Sequence, residues 1–307
     1  MMLTPERAMR RTLFTLAIAM LLVGGAAREL AAQAYDTAAL EKSRASREAS
    51  LKSDTGWLTV SGLHFLKQGE NTVGRAPTND IVLDFPTVPD QAAIIIMQGD
   101  RTRLRPPAGK TVSVNGQAVN SEIDLKRSGQ GGAADIVNLD RVNFFVHYSG
   151  PRLALRVRDL DSPLRTGFKG LRFFPANTAY RVKAVYKPYA TPQVAQMPNI
   201  LGDLEPFTIT GTVAFSLGGV NHEMVAWRSG QRLWFVFRDL TSGKETYAAS
   251  RFLYQPMPQA GEFFLDFNYA ENPPCGYNPY TTCPVPPPQN RLPVRIEAGE
   301  LTYTGRN

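Results

Sequence analysis

The chain has 307 residues, of which 43% are hydrophobic, 20% charged and 10% aromatic, with 25 glycines and 23 prolines. This globular composition excludes a disordered chain and a collagen-like one, and the length suffices for one large domain or two smaller ones with a sizeable core. The formal charge of +7 is modest, and most basic residues alternate with acidic or apolar ones, as in Arg156-Val157-Arg158-Asp159, so no stripe suited to a nucleic acid forms.

The first segment reads as a targeting signal. Arg7, Arg10 and Arg11 precede an apolar run from Leu13 to Val23, and Ala32-Gln33-Ala34 supplies the small-x-small pattern of a signal-peptidase site. A helix of that length rises about 16 Å against a bilayer core of about 30 Å, too little to span it. An uncleaved anchor is the alternative. No second apolar stretch of spanning length follows. The expectation is therefore a signal peptide over residues 1–34 and an exported, soluble chain starting near Tyr35, with no stable membrane span. Residues 1–34 carry four basic and two acidic residues, so the mature chain keeps +5.

Residues 35–53 are expected to hold one helix, over 36–51. Asp36 can accept from the first-turn N–H groups, and the stretch is rich in Ala, Leu, Glu, Lys and Arg without Gly or Pro. After Gly56 short alternating runs are broken by Gly, Pro, Asn and Asp, the pattern of antiparallel strands. Residues 54–190 give strands at Trp57–Leu66, Ile81–Leu83, Ala93–Met97, Thr111–Val114, Val142–Tyr148 and Leu153–Val157, then the alternation Tyr180, Val182, Ala184, Tyr186. His64 and His147 lie in apolar strands and are expected to finish a core face.

Prolines at 188, 192, 198 and 206 predict an extended connector over 191–206. The following unit, 207–307, shows strands at Phe207–Leu217, Val220–Ala226, Leu233–Arg238, Thr246–Ala249, Glu262–Phe267 and Leu292–Ile296. Leu233-Trp234-Phe235-Val236-Phe237 is apolar at every position and should be buried on both faces. Within 272–293 stand eight prolines, which forbid a helix or central strand and predict an arm that Tyr277 and Tyr280 could anchor. Cys275 and Cys283, the only cysteines, are expected to form a disulfide in an oxidising compartment. A zinc site would need two more ligands, and the chain has three histidines.

Val73-Gly74-Arg75, Asn79-Asp80-Ile81-Val82-Leu83 and Val114-Asn115-Gly116 resemble a forkhead-associated (FHA) domain, a β-sandwich that binds phosphothreonine. Where that family has a Ser and a His shortly after the Leu, this chain has Val88-Pro89-Asp90-Gln91-Ala92. The resemblance therefore implies the sandwich without the phosphothreonine. A second resemblance runs over nearly all the mature chain. It is carried by Gly56-Trp57-Leu58-Thr59-Val60-Ser61-Gly62-Leu63, Gly69-Glu70-Asn71, Phe174-Pro175, Phe237-Arg238-Asp239, Gly243-Lys244-Glu245-Thr246-Tyr247, Arg251-Phe252-Leu253-Tyr254, Leu265-Asp266-Phe267-Asn268, Cys283-Pro284 and Asn290-Arg291-Leu292-Pro293. These runs look like the bacterial and archaeal family known as domain of unknown function 1684, which implies no activity. Ala270-Glu271-Asn272-Pro273 departs from it by placing a carboxylate where the family tends to have an aromatic.

Side chains of catalytic type gather in the second unit. One reading sets His222 beside Asp239 or Asp266 for general-base or metal-ligand work. The other makes Arg238, Arg251 and Arg291 structural partners of Asp239, Asp266 and Glu297, with Tyr247, Asn268 and Asn290 as further binding candidates. No nucleophile elbow, Ser-x-x-Lys, metal helix or phosphate loop is present. The sequence thus predicts an exported all-β protein: an FHA-like antiparallel sandwich after a short helix, then a smaller antiparallel sheet or barrel clasped by the arm. It predicts a non-catalytic binding or interaction module of the cell envelope without cofactor or metal, whose partner is a small molecule or an envelope protein. The alternative is a hydrolase or metal-assisted enzyme using His222.

Overall fold

The computed structural model describes residues 35–258 and 261–305; the expected signal segment, 1–34, lies outside them. The predicted helix is α1 (Thr37–Lys52). Asp36 Oδ1 accepts from the Ala39 N–H at 2.8 Å, and the buried face of α1 reduces to Leu40 and Leu51.

Then follow β1 (Val60–Phe65), β2 (Gly69–Gly74), β3 (Ile81–Val82), β4 (Ala93–Gln98), β5 (Arg101–Arg105) and β6 (Val112–Val114). With β7 (Gln117–Val119), β8 (Ile123–Leu125), β9 (Val137–Leu139), β10 (Val142–Ser149) and β11 (Arg152–Asp159) they build a sandwich. One sheet has the order β1-β11-β10-β9-β6-β7 and the other β3-β2-β4-β5-β8. The core between them includes Val73, Ile95, Leu104, Val137, Phe144, Leu155 and Val157. The two-residue period that turns Phe144, Val146, Leu155 and Val157 inward sends Phe145, His147, Arg156 and Arg158 to the outer face. His147 is buried, but on this outer side and not in the core as expected.

Six strands form the second sheet: β12 (Arg181–Pro198), β13 (Leu204–Leu217), β14 (Val220–Ser229), β15 (Arg232–Phe237), β16 (Arg251–Pro256) and β17 (Glu262–Asp266). Their order is β16-β15-β14-β13-β12-β17, with every pairing antiparallel. Strand β15 is covered on both sides, as its unbroken apolar run requires. Leu233, Phe235 and Phe237 join a cluster with Phe215, Phe267, Leu292 and Ile296. Trp234 and Val236 join another with Trp227, Phe252, Cys275 and Cys283. Among the described residues no helix is long and apolar enough to cross a membrane.

Three expected elements differ. Residues 191–206 are the paired ends of β12 and β13 with their turn, not a connector, and Gln193–Pro198 face Leu204–Ile209. The prolines fit because the register breaks between Pro188 and Gln193, freeing Pro192 from the ladder, while Pro198 and Pro206 lie where the pair is a two-stranded ribbon. Gly211 permits the close approach at that break, since a Cβ there would meet Lys187 O at 2.3 Å. Thr246–Ala249 closes a turn, and the strand comes later as β16, paired along its length with β15. Leu292–Ile296 forms no ladder strand; one bridge joins Arg238 to Arg291.

The arm has no ladder of its own, only short helical turns at Pro274–Gly276 and Pro288–Asn290. Tyr277 anchors it, packed with Leu51, Leu58 and Tyr303, whereas Tyr280 is 39% exposed. The arm joins the two sheet systems. Asn278 Nδ2 donates to Trp57 O and the hydroxyls of Thr282 and Ser149 meet on the sandwich side, while Asn290 reaches into the second sheet.

Candidate functional site

Among the polar residues singled out in the sequence, Asp239 and Arg251 come together. Both side chains are fully buried and 2.9 Å apart. Arg251 also donates to Ala298 O (2.7 Å) and Ile296 O (3.1 Å) and lies over the Phe237 ring. Asp239 accepts from Ile296 N–H at 2.7 Å and from Thr241. Burial lowers the Arg251 pKa, and Asp239 opposes that shift. The knot ties the tail to the end of β15.

Asn290 performs the same task one strand away. β14 and β15 pair only from Trp227 to Ser229; beyond that, the Asn290 side chain stands between them. It accepts from Val225 N–H (2.8 Å) and donates to Val225 O and Val236 O (3.0 Å each), replacing the missing ladder bonds. Asp266 accepts from the N–H and Nδ2 of Asn268, and Asn268 in turn holds the backbone of Asn177. Tyr247 donates to Cys275 O. Arg238 gives its backbone to Asn290 and Leu292, and Arg291 Nε donates to Pro286 O. Neither arginine forms an ion pair among the described residues: Glu297 binds Arg295 instead, and Asp266 has an asparagine partner.

His222 lies apart from this network. Its Nε2–H donates to Leu217 O at 3.3 Å, and its ring packs on Phe215. It forms part of a groove of about 610 Å³ with Lys183, Lys187, Glu223 and Glu262, a lining that includes neither Asp239 nor Asp266. Cys275 and Cys283 are neighbours: the Cys275 N–H points at Cys283 Sγ, 3.3 Å away, and both side chains are buried.

Sequence reasoning missed a buried cluster that joins α1 to the arm. Arg47 lies 3.3 Å from Glu271, donates to Asn272 O and faces the Tyr277 ring. Tyr277 and Asn272 both donate to Glu300, whose side chain is fully buried. Burial lifts Glu300 to about 7 against the pull of Arg47, and burial raises Glu271 as well. The tail reaches this position past Gly299, whose φ is +80° and where a Cβ would meet Ala270 O at 2.5 Å. The spacing of Glu271 and Glu300 carries no motif.

In the sandwich, Arg75 gives Nε and Nη2 to Asp90 at 3.2 and 2.9 Å. Asp90 belongs to the segment that replaces the phosphate-binding Ser and His of FHA domains, so the FHA-like arginine is already paired with an acid. On the outer face of β10 and β11 a cavity of about 380 Å³ is lined by Trp57, Ser128, Phe145, His147, Arg156 and Arg158, among others.

Residues 166–301 match the model of the family described as a protein of unknown function, DUF1684. Those residues form a DUF1684 region. The DUF1684 region covers the second sheet, the arm and Glu300. It leaves the resembling runs Gly56–Leu63 and Gly69–Asn71 outside. An uncharacterised Haloarcula marismortui protein, solved in solution, is 30% identical and similar over 45% of this chain and 79% of its own, with a TM-score of 0.39. FHA domains are similar to the N-terminal portion. That of a Chlamydia trachomatis protein is 21% identical, covering 31% of this chain and 81% of its own (TM-score 0.22). The FHA-2 domain of a Mycobacterium tuberculosis ABC transporter is 24% identical, covering 30% and 77% (TM-score 0.22). No curated protein matches the chain.

Proposed function

We propose that this protein is an exported, non-catalytic binding module of the cell envelope. The observation that carries the reading is where the catalytic-type side chains spend their hydrogen bonds. Asp239 is occupied by Arg251, Thr241 and Ile296 N–H, Asp266 by Asn268, and His222 by a backbone carbonyl. A general base needs its imidazole within reach of an orienting carboxylate and of a substrate proton, and these three groups hold the fold instead. Export is supported by the basic start, the apolar run and the small-residue site ahead of Tyr35. In an oxidising compartment the adjacent Cys275 and Cys283 would close a short loop in the arm.

The test uses protein recovered from the envelope fraction. Its N-terminus should fall within a few residues of Tyr35, and its intact mass should be about 2 Da below that of the dithiol form. Ester, peptide, glycoside and phosphoester substrates should remain intact. Full-length chain confined to the cytosol would overturn the location, and a turnover lost in His222→Ala would install the hydrolase reading.

A further inference from the structure

Arg156 and Arg158 differ from the arginines of β5. Arg101, Arg103 and Arg105 on β5 each meet a carboxylate, from Asp124, Glu122 and Glu70. Among the described residues neither Arg156 nor Arg158 receives a hydrogen bond partner or a carboxylate, and the Nε of each is buried without a partner. Their guanidinium carbons lie 4.9 Å from the Trp57 ring centroid and 4.6 Å from that of Phe145. The two-residue spacing on β11 puts both charges on one face, where they repel. Register places Phe145 opposite Arg156 and His147 opposite Ala154, so the imidazole joins the same wall.

His147 completes the set. Its Nδ1–H donates to Tyr148 O at 2.6 Å, which leaves Nε2 as a buried nitrogen without a partner. Burial and then Arg156 hold its pKa down at about 4, and burial with Arg158 brings Arg156 to about 10. Three groups able to carry positive charge therefore line one cavity, and among the described residues no carboxylate answers them; the Cys283 thiol is the one acidic group that acts on Arg156. Desolvating a cation without a counter-charge is unfavourable. The stacked rings offset part of the cost, and an incoming oxyanion would offset more through forked, charge-assisted bonds.

The structure assigns to this cavity the binding of a small organic anion: a carboxylate or phosphate head held by Arg156, Arg158 and His147, with a compact apolar body beside Trp57 and Phe145. A cavity of about 380 Å³ lies within the range of small-molecule sites. With Nδ1–H committed to Tyr148 O, Nε2 can donate to the anion only after protonation, so binding draws a proton onto His147. The charges that reach His147 are Arg156 and Arg158. This inference rests on the binding-module reading only in expecting no turnover.

The experiment is a calorimetric titration of the full mature chain with benzoate and phenyl phosphate, with acetate and inorganic phosphate as head-only probes and benzyl alcohol as the neutral body. At least one aryl anion should bind with a Kd below about 1 mM, more tightly than its head alone and at least tenfold more tightly than the alcohol. The benzoate-to-phenyl phosphate ratio separates carboxylate from phosphate. Arg156→Met and Arg158→Met should each weaken binding by about tenfold or more. The His147 titration midpoint, followed by NMR, should move upward in the complex. The ligand-free Arg156→Met protein should melt no lower than wild type, because it loses a half-buried charge that has no counter-ion. No binding by any of the four anions overturns the site, as does equal binding by both variants. A loss of stability in Arg156→Met with affinity unchanged would make the arginine a structural cover for Trp57. Turnover of a bound probe would overturn the module reading and leave the site standing.

Discussion

Arg251 and Arg156 are both arginines of antiparallel strands, the first fully buried and the second half-buried in a cavity wall, and their surroundings are opposite. Arg251 has a carboxylate at 2.9 Å, two carbonyls and an aromatic face; Arg156 has an aromatic face and a neighbouring like charge. A buried cation surrounded by acceptors is part of the architecture, because removing it strands the acceptors. One left without acceptors contributes nothing comparable to the fold, and its retention needs another cause. The number of partners thus separates the DUF1684 region's structural polar knots from the sandwich's anion cavity more clearly than residue type does.

The largest expected effect comes from the Arg251 end of this contrast. Arg251→Met leaves Asp239 buried and unpaired and should cost about 3–5 kcal/mol in urea denaturation; a stability equal to wild type would break the comparison. Asn290→Ala removes one acceptor and two donor bonds that replace sheet pairing, and a loss of about 2–4 kcal/mol is expected in the same measurement. Glu300 sharpens the argument through pH. Its folded pKa of about 7 stands above the ordinary carboxylate value of 4.5, so the native state binds the extra proton in that window. Its contribution to stability is fully present below about 4.5 and falls as pH rises to about 7, by about 1–3 kcal/mol. The difference between wild type and Glu300→Gln should carry that slope, independently of other titrating groups. Smallest, and opposite in sign to the first, Arg156→Met should leave stability unchanged or raise it by up to about 1 kcal/mol. A clear loss there would place Arg156 with Arg251.

Local chemistry made several elements legible. Residues 36–51 show a helix because they combine good helix formers with an Asp cap and no breaker, and α1 spans Thr37–Lys52. The run Leu233–Phe237 foretells two covered faces because a strand with apolar residues on both sides has no side to give to water. The missing pieces depend on partners far along the chain. β16 is a strand because β15 offers it a ladder, whereas Thr246–Ala249, with comparable β propensity, is bent back by the turn around Thr241. Prolines at 188, 192, 198 and 206 argue for a connector until a register break and a two-stranded ribbon provide places without ladder donors. At the sites, alternation alone set Arg156 and Arg158 on one face of their strand. Which arginine would find an acid could not be read from spacing: Asp239 selects Arg251 over the adjacent Arg238, and Glu300 draws together Asn272 and Tyr277 across the fold.

The tail that carries these partners also governs the order of assembly. Leu292, Ile296 and Ala298 fill one side of the second sheet, and Cys275 and Cys283 close the other. During synthesis β12 to β15 emerge with two apolar sides and no cover for either. Asp239 waits for the Ile296 N–H, Val225 and Val236 wait for Asn290, and Arg47, made long before, waits for Glu271 and Glu300. The chain therefore cannot bury its second sheet until residues 267–301 are in place. A nascent chain stopped short of them presents a sticky, half-built sheet to chaperones and proteases. Truncation at the C-terminal end would accordingly act as a folding lesion across the whole DUF1684 region, far beyond the few residues removed.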